Sequence, residues 1–343
     1  MAAPQHLPSP RTPDPHRAPR LRWGIIGPGW IARRFTAALQ KYTDQELVAV
    51  GSRNQARADE FAARWSVPRA YGSYRETLAD PGIDVVYVAT PHTEHYSCAR
   101  AALASGKHVL VEKPIGVNAV QAGQISESAR SAGLFAAEAM WMKFLPKFDV
   151  IRQIIDDGML GTVHTVLADH GEHFTEDHRI YDPTLAGGPL LDLGIYPVAL
   201  AHEVLGAPES VLASGQLANA ELNGQISAIL AHAGGSQAGL HTTILSDTPC
   251  AAVIAGDEAT LTIPGVFYEP GPFTVSFHDG TTLRYDEETS TDGYGLHFSA
   301  VEAARVIDSG GIDSLLHPLS AATATLATMD EIRRQLGIVF PGD

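Results

Sequence analysis

Short unbroken apolar runs alternate with longer amphipathic stretches through the first part of the chain. The runs are Trp23-Gly24-Ile25-Ile26, Leu47-Val48-Ala49-Val50, Asp84-Val85-Val86-Tyr87-Val88-Ala89, His108 to Val111, and Leu134-Phe135-Ala136-Ala137. Runs of this length suit strands buried on both faces, hence a parallel sheet. The stretches between them, such as 94–105 and 117–132, predict crossover helices. Five βα repeats in this order predict an α/β fold that opens with a doubly wound, Rossmann-type dinucleotide-binding domain over 21–143.

After Phe144 the pattern changes. A helix is predicted over 146–157, a strand over 162–169 and a mostly apolar helix over 189–205. Extended segments follow at 211–217, 225–232, 238–245, 251–254, 260–263 and 273–277. The last pairs with 283–285 across Asp279-Gly280-Thr281, and a three-residue loop there sets Phe277 opposite Leu283 and Val275 opposite Tyr285. These segments predict a large, open, mostly antiparallel sheet with one apolar face, in an α/β domain over 144–343. Helices over 298–308 and 319–336 close the chain. Residues 1–20 carry Pro4, Pro8, Pro10, Pro13, Pro15 and Pro19 with few bulky apolar side chains. They read as a disordered tail without a catalytic role.

A length of 343 residues suits two domains, and 45% hydrophobic with 18% charged residues is an ordinary globular composition. The net charge of −15 argues against nucleic acid and against an anionic membrane surface as partners. No apolar run approaches the ~20 residues that span a bilayer, and no secretory signal is evident. Two distant cysteines, Cys98 and Cys250, fit a reducing compartment, so a cytoplasmic location is expected.

The first strand runs into Gly27-Pro28-Gly29-Trp30-Ile31-Ala32, a G-x-G-x-x-A turn with strand before and helix after. Gly27 permits the turn, and Gly29 lets the backbone approach a pyrophosphate. The N–H groups near Trp30 and Ile31 face it from the helix start. The second strand ends in Gly51-Ser52-Arg53-Asn54, with Arg57 a turn later and no carboxylate. Ser52, Arg53 and Arg57 suit a ribose 2′-phosphate, which favours NADP over NAD. Thr90, Pro91 and His95 border the cofactor at the third strand, and His92 reaches towards ligand. His95 is equally readable as a packed bridge from loop to helix.

Lys113 follows an apolar strand within Glu112-Lys113-Pro114, at the carboxyl end where open α/β sheets bind ligands. Glu112 is grouped with the cofactor contacts. In the apolar 189–205 helix, Asp192 and Tyr196 are spaced i and i+4 as a narrow polar strip. A buried acid there is paired or lines a cavity. Pro197 should bend or begin the helix beside that strip. The segment 164–178 holds His164, Asp169, His170, Glu172, His173, Glu176, Asp177 and His178. In a strand His170 and Glu172 share a face and His173 points away, so the set lacks metal-ligand spacing and no metal is expected. It reads instead as a polar edge to a substrate pocket.

With these residues in place the chain resembles the Gfo/Idh/MocA oxidoreductases, over about 21–340. The landmarks are Gly27 to Ala32, Thr90-Pro91 with His95, and Glu112-Lys113-Pro114. Glu138-Ala139-Met140-Trp141, Gly187 to Pro197, and Asp330 to Gln335 resemble the branch of dihydrodiol dehydrogenases and NADP-linked xylose dehydrogenases. The resemblance implies an NADP-dependent dehydrogenase acting on a CH–OH carbon of a cyclic polyol, sugar or dihydrodiol. It implies catalysis by Lys113 and Tyr196 at one site, with Asp192 as an orienting acid. Substrate contacts are expected from His92, Trp141, Lys143, His170 and Tyr196, and a cis proline after Lys113. It further implies a homodimer or homotetramer built through the C-terminal sheet. His92 and Lys143 depart from the Asn and Arg common in the family, and the 170–173 stretch is unusually rich in histidine. Two other readings are an NAD-dependent inositol or sugar-acid dehydrogenase, and a non-catalytic NADP-sensing protein. A metal-dependent hydrolase built on the histidine-rich loop is the weakest alternative.

Overall fold

The computed structural model describes residues 4–287 and 294–343. The strands are β1 Arg22–Ile26, β2 Glu46–Gly51, β3 Arg69–Tyr71, β4 Val85–Val88, β5 His108–Glu112, β6 Ala136–Ala139, β7 Val163–Gly171, β8 Ser210–Leu217, β9 Asn223–Ala231, β10 Gln237–Thr243, β11 Ala252–Gly256, β12 Ala259–Ile263, β13 Phe273–Phe277 and β14 Thr282–Tyr285. The helices are α1 Trp30–Tyr42, α2 Gln55–Trp65, α3 Tyr74–Leu78, α4 His92–Ala104, α5 Ala119–Ala132, α6 Pro146–Asp156, α7 Ile195–Leu205, α8 His297–Asp308 and α9 Leu319–Leu336. The chain divides into two units. Among the described residues one comprises 13–144 and 294–323; the other comprises 4–12, 145–287 and 324–343.

In the first unit six parallel strands run in the order β3-β2-β1-β4-β5-β6. This is the dinucleotide-binding order, with the strand sequence reversing between β1 and β4. The central strands are apolar because helices cover both faces: Ile25, Val50, Val86 and Val111 are all fully buried. The sheet has one strand more than the five expected. β3 is a half-buried edge of three residues, too short and too polar to show as an apolar run. β6 also begins two residues later than expected. Gly133 (φ 63°) closes α5, and the Leu134 N–H returns to the Ala129 carbonyl, so the apolar run starts inside the helix cap.

The leading stretch of the first unit ends at Phe144, and two further stretches join it. Residues 13–20, expected to be disordered, hold a 3-10 turn at Pro15–Arg17 capped by the Asp14 side chain. Ala18 is buried against Val301 and Ala304. The second stretch, from α8 to the start of α9, runs along the open edge of β6, where the Ile312 carbonyl accepts the Ala136 N–H at 3.3 Å. An edge strand needs such cover.

The second unit is built on eight strands in the order β14-β13-β12-β11-β7-β10-β9-β8. Neighbours are antiparallel except β7 and β10. One face carries Val166, Ala168, Ile226, Ala228, Leu240, Ile254 and Leu261, all buried. The other leaves Leu167, Leu212 and Ile229 at least half exposed. The β13–β14 hairpin has a three-residue loop, but over His278-Asp279-Gly280. Phe277 N–H bonds to Thr281 O, Val275 faces Leu283 and Phe273 faces Tyr285. The pairing is displaced by two residues from the expected one, so the same side chains stay on one face. Asp279 sets the loop by accepting the Thr281 N–H (2.8 Å), and Gly280 takes φ 90°. In this unit Arg11 pairs with Asp149 through its backbone N–H (2.6 Å) and its guanidinium (2.9 Å), so this part of the N-terminal segment is also held.

Contrary to the sequence expectation, one stretch, 183–205, is long and apolar enough to cross a bilayer by length and composition alone. It is 78% buried within the protein and reads as a core helix. It is not one regular helix. Leu190–Gly194 form a π-helical turn and α7 begins at Ile195.

Candidate active site

The Gly-rich turn has the shape its sequence requires. Gly27 sits at φ 86°, and a Cβ there would lie 2.7 Å from the Ala89 carbonyl oxygen. Only glycine fits. Gly29 is the N-cap of α1, no side chain caps this helix, and a Cβ on Gly29 would meet nothing closer than 4.0 Å. The first N–H groups of α1 are therefore open to an anion. Ala32 is fully buried where the helix packs on the sheet. Trp30 is 61% exposed, and the Arg34 guanidinium lies against both its ring and that of Tyr294, 4.6 and 4.3 Å from the two centroids.

At the end of β2, Ser52 is buried and its hydroxyl accepts the Asn54 N–H at 3.2 Å. Asn54 caps α2 by accepting from Arg57 N–H (3.3 Å). The side chains of Arg53 and Arg57 are exposed. Thr90 is buried with its hydroxyl oxygen unpaired, beside Pro91, the N-cap of α4. An uncapped helix start, a glycine cradle and an orphaned hydroxyl suit a dinucleotide.

Lys113 is half-buried at the end of β5, and the Lys113–Pro114 peptide is cis, as expected. Three ionisable side chains, each at most 5% exposed, hold the backbone around it. Glu112 accepts the Lys113 N–H (3.1 Å) and a short hydrogen bond from the Tyr87 hydroxyl. Burial raises the Glu112 carboxyl to about 7, opposed by the Tyr87 hydrogen bond and the Lys113 charge. His95 places Nδ1 2.6 Å from Pro114 O and Nε2 2.8 Å from Thr90 O. Burial lowers its pKa. With both nitrogens engaged, His95 is the bridge from loop to helix rather than a ligand contact. Glu112 likewise meets protein groups through both carboxyl oxygens. The third side chain is Glu138, accepting the Ile115 N–H at 2.9 Å. His92 is 7% exposed, its ring 5.7 Å from that of His95. Trp141 and Lys143 are buried, and the Trp141 ring lies 5.5 Å from Tyr294.

The remaining candidates lie in the second unit. Tyr196 is 5% exposed and stacks on Tyr268, centroids 4.3 Å apart; the His170 ring is 5.5 Å away. His170 Nδ1 donates to Leu193 O at 3.1 Å. Its Nε2 is 2.8 Å from the Tyr268 hydroxyl and 2.9 Å from Glu172 Oε1. The hydrogen bond from His170 holds the Glu172 carboxyl below its usual range, while burial pushes the Tyr268 phenol far up. Tyr268 is thus a hydrogen-bonding phenol, not a base. Asp192 pairs with Arg179 at 3.2 Å. The π turn places Asp192 and Tyr196 out of the regular α-helical strip expected of them. His170 and Glu172 do share a face, and His173 lies apart, exposed, with Nδ1 3.2 Å from Leu245 O. No group of three or more metal-type ligands is present among the described residues. Cys98 and Cys250 are both free and buried.

Sequence reasoning gave no role to Glu138, His317 or Tyr268. Glu138 stood inside the Glu-Ala-Met-Trp landmark, a signal that could have been followed; Tyr268 lies between strands in no pattern.

Residues 21–139 match the GFO/IDH/MocA oxidoreductase family, NAD-binding Rossmann fold, and 148–262 match the GFO/IDH/MocA C-terminal domain. The chain is similar to trans-1,2-dihydrobenzene-1,2-diol dehydrogenases. It is 32% identical to that of Bos taurus over 334 residues, covering 94% of this chain and 99% of the relative. Identity to the Sus scrofa protein is 33% over 331 residues, covering 94% and 99%. A solved 3-ketoreductase from Actinomadura kijaniata, in complex with NADP and TDP-benzene, superposes with TM-score 0.80 at 25% identity, covering 92% of this chain and 97% of that one. Levoglucosan dehydrogenase in complex with NADH and levoglucosan shares the fold, with TM-score 0.83 at 18% identity over 93% and 97%.

Proposed function

Because the chain belongs to the GFO/IDH/MocA oxidoreductase family, we propose that it is an NADP-dependent dehydrogenase acting on a CH–OH carbon of a cyclic polyol, sugar or dihydrodiol. The observation that carries this reading is Lys113, fixed at the end of β5 by Glu112, His95 and Glu138 in the sheet that bears the glycine turn. Gly27, Gly29, the start of α1 and Thr90 would hold the dinucleotide. Ser52, Arg53 and Arg57 would take the 2′-phosphate. When bound, the nicotinamide supplies or accepts hydride.

In this reading Tyr196 exchanges the hydroxyl proton of the substrate, and the Lys113 ammonium stabilises alkoxide charge. Tyr268, His170 and Glu172 give the stack around Tyr196 a polar side suited to a hydroxylated substrate. The solved 3-ketoreductase includes variants at one lysine and one tyrosine, spaced along that chain to within a residue of Lys113 and Tyr196. The exposed face with Leu167, Leu212 and Ile229 supports assembly as a homodimer or homotetramer.

Initial rates with NADP and NAD across xylose, glucose, myo-inositol and trans-dihydrodiols test the proposal. NADP-linked turnover is expected with at least one class. Lys113→Met and Tyr196→Phe should each lower kcat by about a hundredfold or more, with NADP affinity little changed. Arg53→Ala should narrow the preference for NADP. Wild-type turnover in both catalytic variants would remove the mechanism, and a preference for NAD would favour the NAD-linked inositol or sugar-acid reading.

A further inference from the structure

We propose that His317 is a positioning residue for Lys113, acting through Glu138; this rests on the reading of Lys113 as the active-site lysine. His317 Nε2 lies 2.8 Å from Glu138 Oε2, and the two residues are 2% and 1% exposed. The other Glu138 oxygen accepts the Ile115 N–H at 2.9 Å, two residues beyond Lys113. A carboxylate shut away from water must be matched by directed donors. One of the two donors that meet it is the backbone of the lysine loop, and the other is an imidazole brought from 179 residues away.

That imidazole is itself placed. The Ser314 hydroxyl oxygen accepts the N–H groups of Leu316 (3.1 Å) and His317 (3.3 Å), and its proton goes to Glu302 Oε1 on α8 (2.7 Å). The same stretch lies along the edge of β6 through the Ala136–Ile312 bond. The Phe144 ring meets the His317 ring edge-on, centroids 6.4 Å apart. Glu112 at the end of β5 and His95 on α4 hold Lys113 and Pro114. His317 and Glu138 hold the third consecutive residue. Taking away the imidazole leaves Glu138 in a dry site without its side-chain donor, and Glu138 must then turn to find another. That turn releases Ile115 and the lysine before it.

The test compares His317→Leu with His317→Gln, whose amide can still donate to Glu138. In the leucine variant kcat should fall about tenfold or more, with KM and NADP affinity within about twofold of wild type. Hydrogen exchange at the Ile115 amide of the cofactor-free protein should quicken. The glutamine variant should recover kcat to within about threefold and restore slow exchange. If the leucine variant does not fold, Glu138→Gln takes its place with the same expected loss of kcat. Wild-type kcat in the leucine variant (or in its replacement), or equal losses with leucine and glutamine, overturns the positioning role. Full turnover in Lys113→Met would instead overturn the reading beneath it, whatever the His317 variants do.

Discussion

Glu112 couples the lysine loop to pH. Burial raises its carboxyl from 4.5 to about 7, so the folded protein keeps a proton that the unfolded chain has released. Across that interval stability should fall as pH rises, by on the order of 3 kcal/mol in total, and the contribution should be flat above it. Glu112→Gln keeps one acceptor oxygen for the Lys113 N–H, turns an amide donor towards the Tyr87 oxygen, and cannot titrate. Urea unfolding between pH 4.5 and 8 should show the slope in the wild type and a flatter profile in the variant; parallel profiles would contradict the assignment. At this scale Lys113 and Tyr196 were legible because their residue types stand out against apolar flanks. The partner of Glu138 was not, since nothing local marks His317 as more than a loop histidine. His95 was open to two readings, and only the two carbonyls around its ring decide for the bridge.

Among the elements, the start of α7 carries a compensating contact. Pro197 has no N–H for Leu193 O, four residues earlier, and His170 Nδ1 donates to that carbonyl instead. A missing helix bond has become a link between β7 and the helix that carries Tyr196. Pro197→Ala would return the N–H and set the two donors in competition. The expected result is a melting temperature equal to or above that of the wild type, with turnover down roughly tenfold as Tyr196 shifts. Lower stability with full turnover would show that the proline has no such part. Most elements were readable because apolar runs and helical stretches differ in period. The failures were local: β3 is only three residues long and opens on Arg69, and the π turn breaks the i, i+4 spacing assumed for Asp192 and Tyr196. The β13–β14 pairing was displaced because Asp279 and Gly280 place the turn one residue earlier than the spacing suggested.

At the level of the whole molecule, the first unit is discontinuous in sequence. Its sheet ends within the first 144 residues, yet Glu138 and the edge of β6 are completed only by the stretch within 294–323. A fragment of 13–144 alone should therefore aggregate or bind NADPH poorly by fluorescence, and linking 294–323 to it should restore soluble binding. A soluble, fully binding 13–144 fragment would show that the returning stretch is dispensable. The arrangement also has a temporal side. On the ribosome the cofactor half is made first but must wait, with its outermost strand bare, until almost the entire polypeptide has emerged. Chaperone demand should fall on that interval, and a premature stop ahead of the returning stretch would strand an incomplete nucleotide-binding sheet.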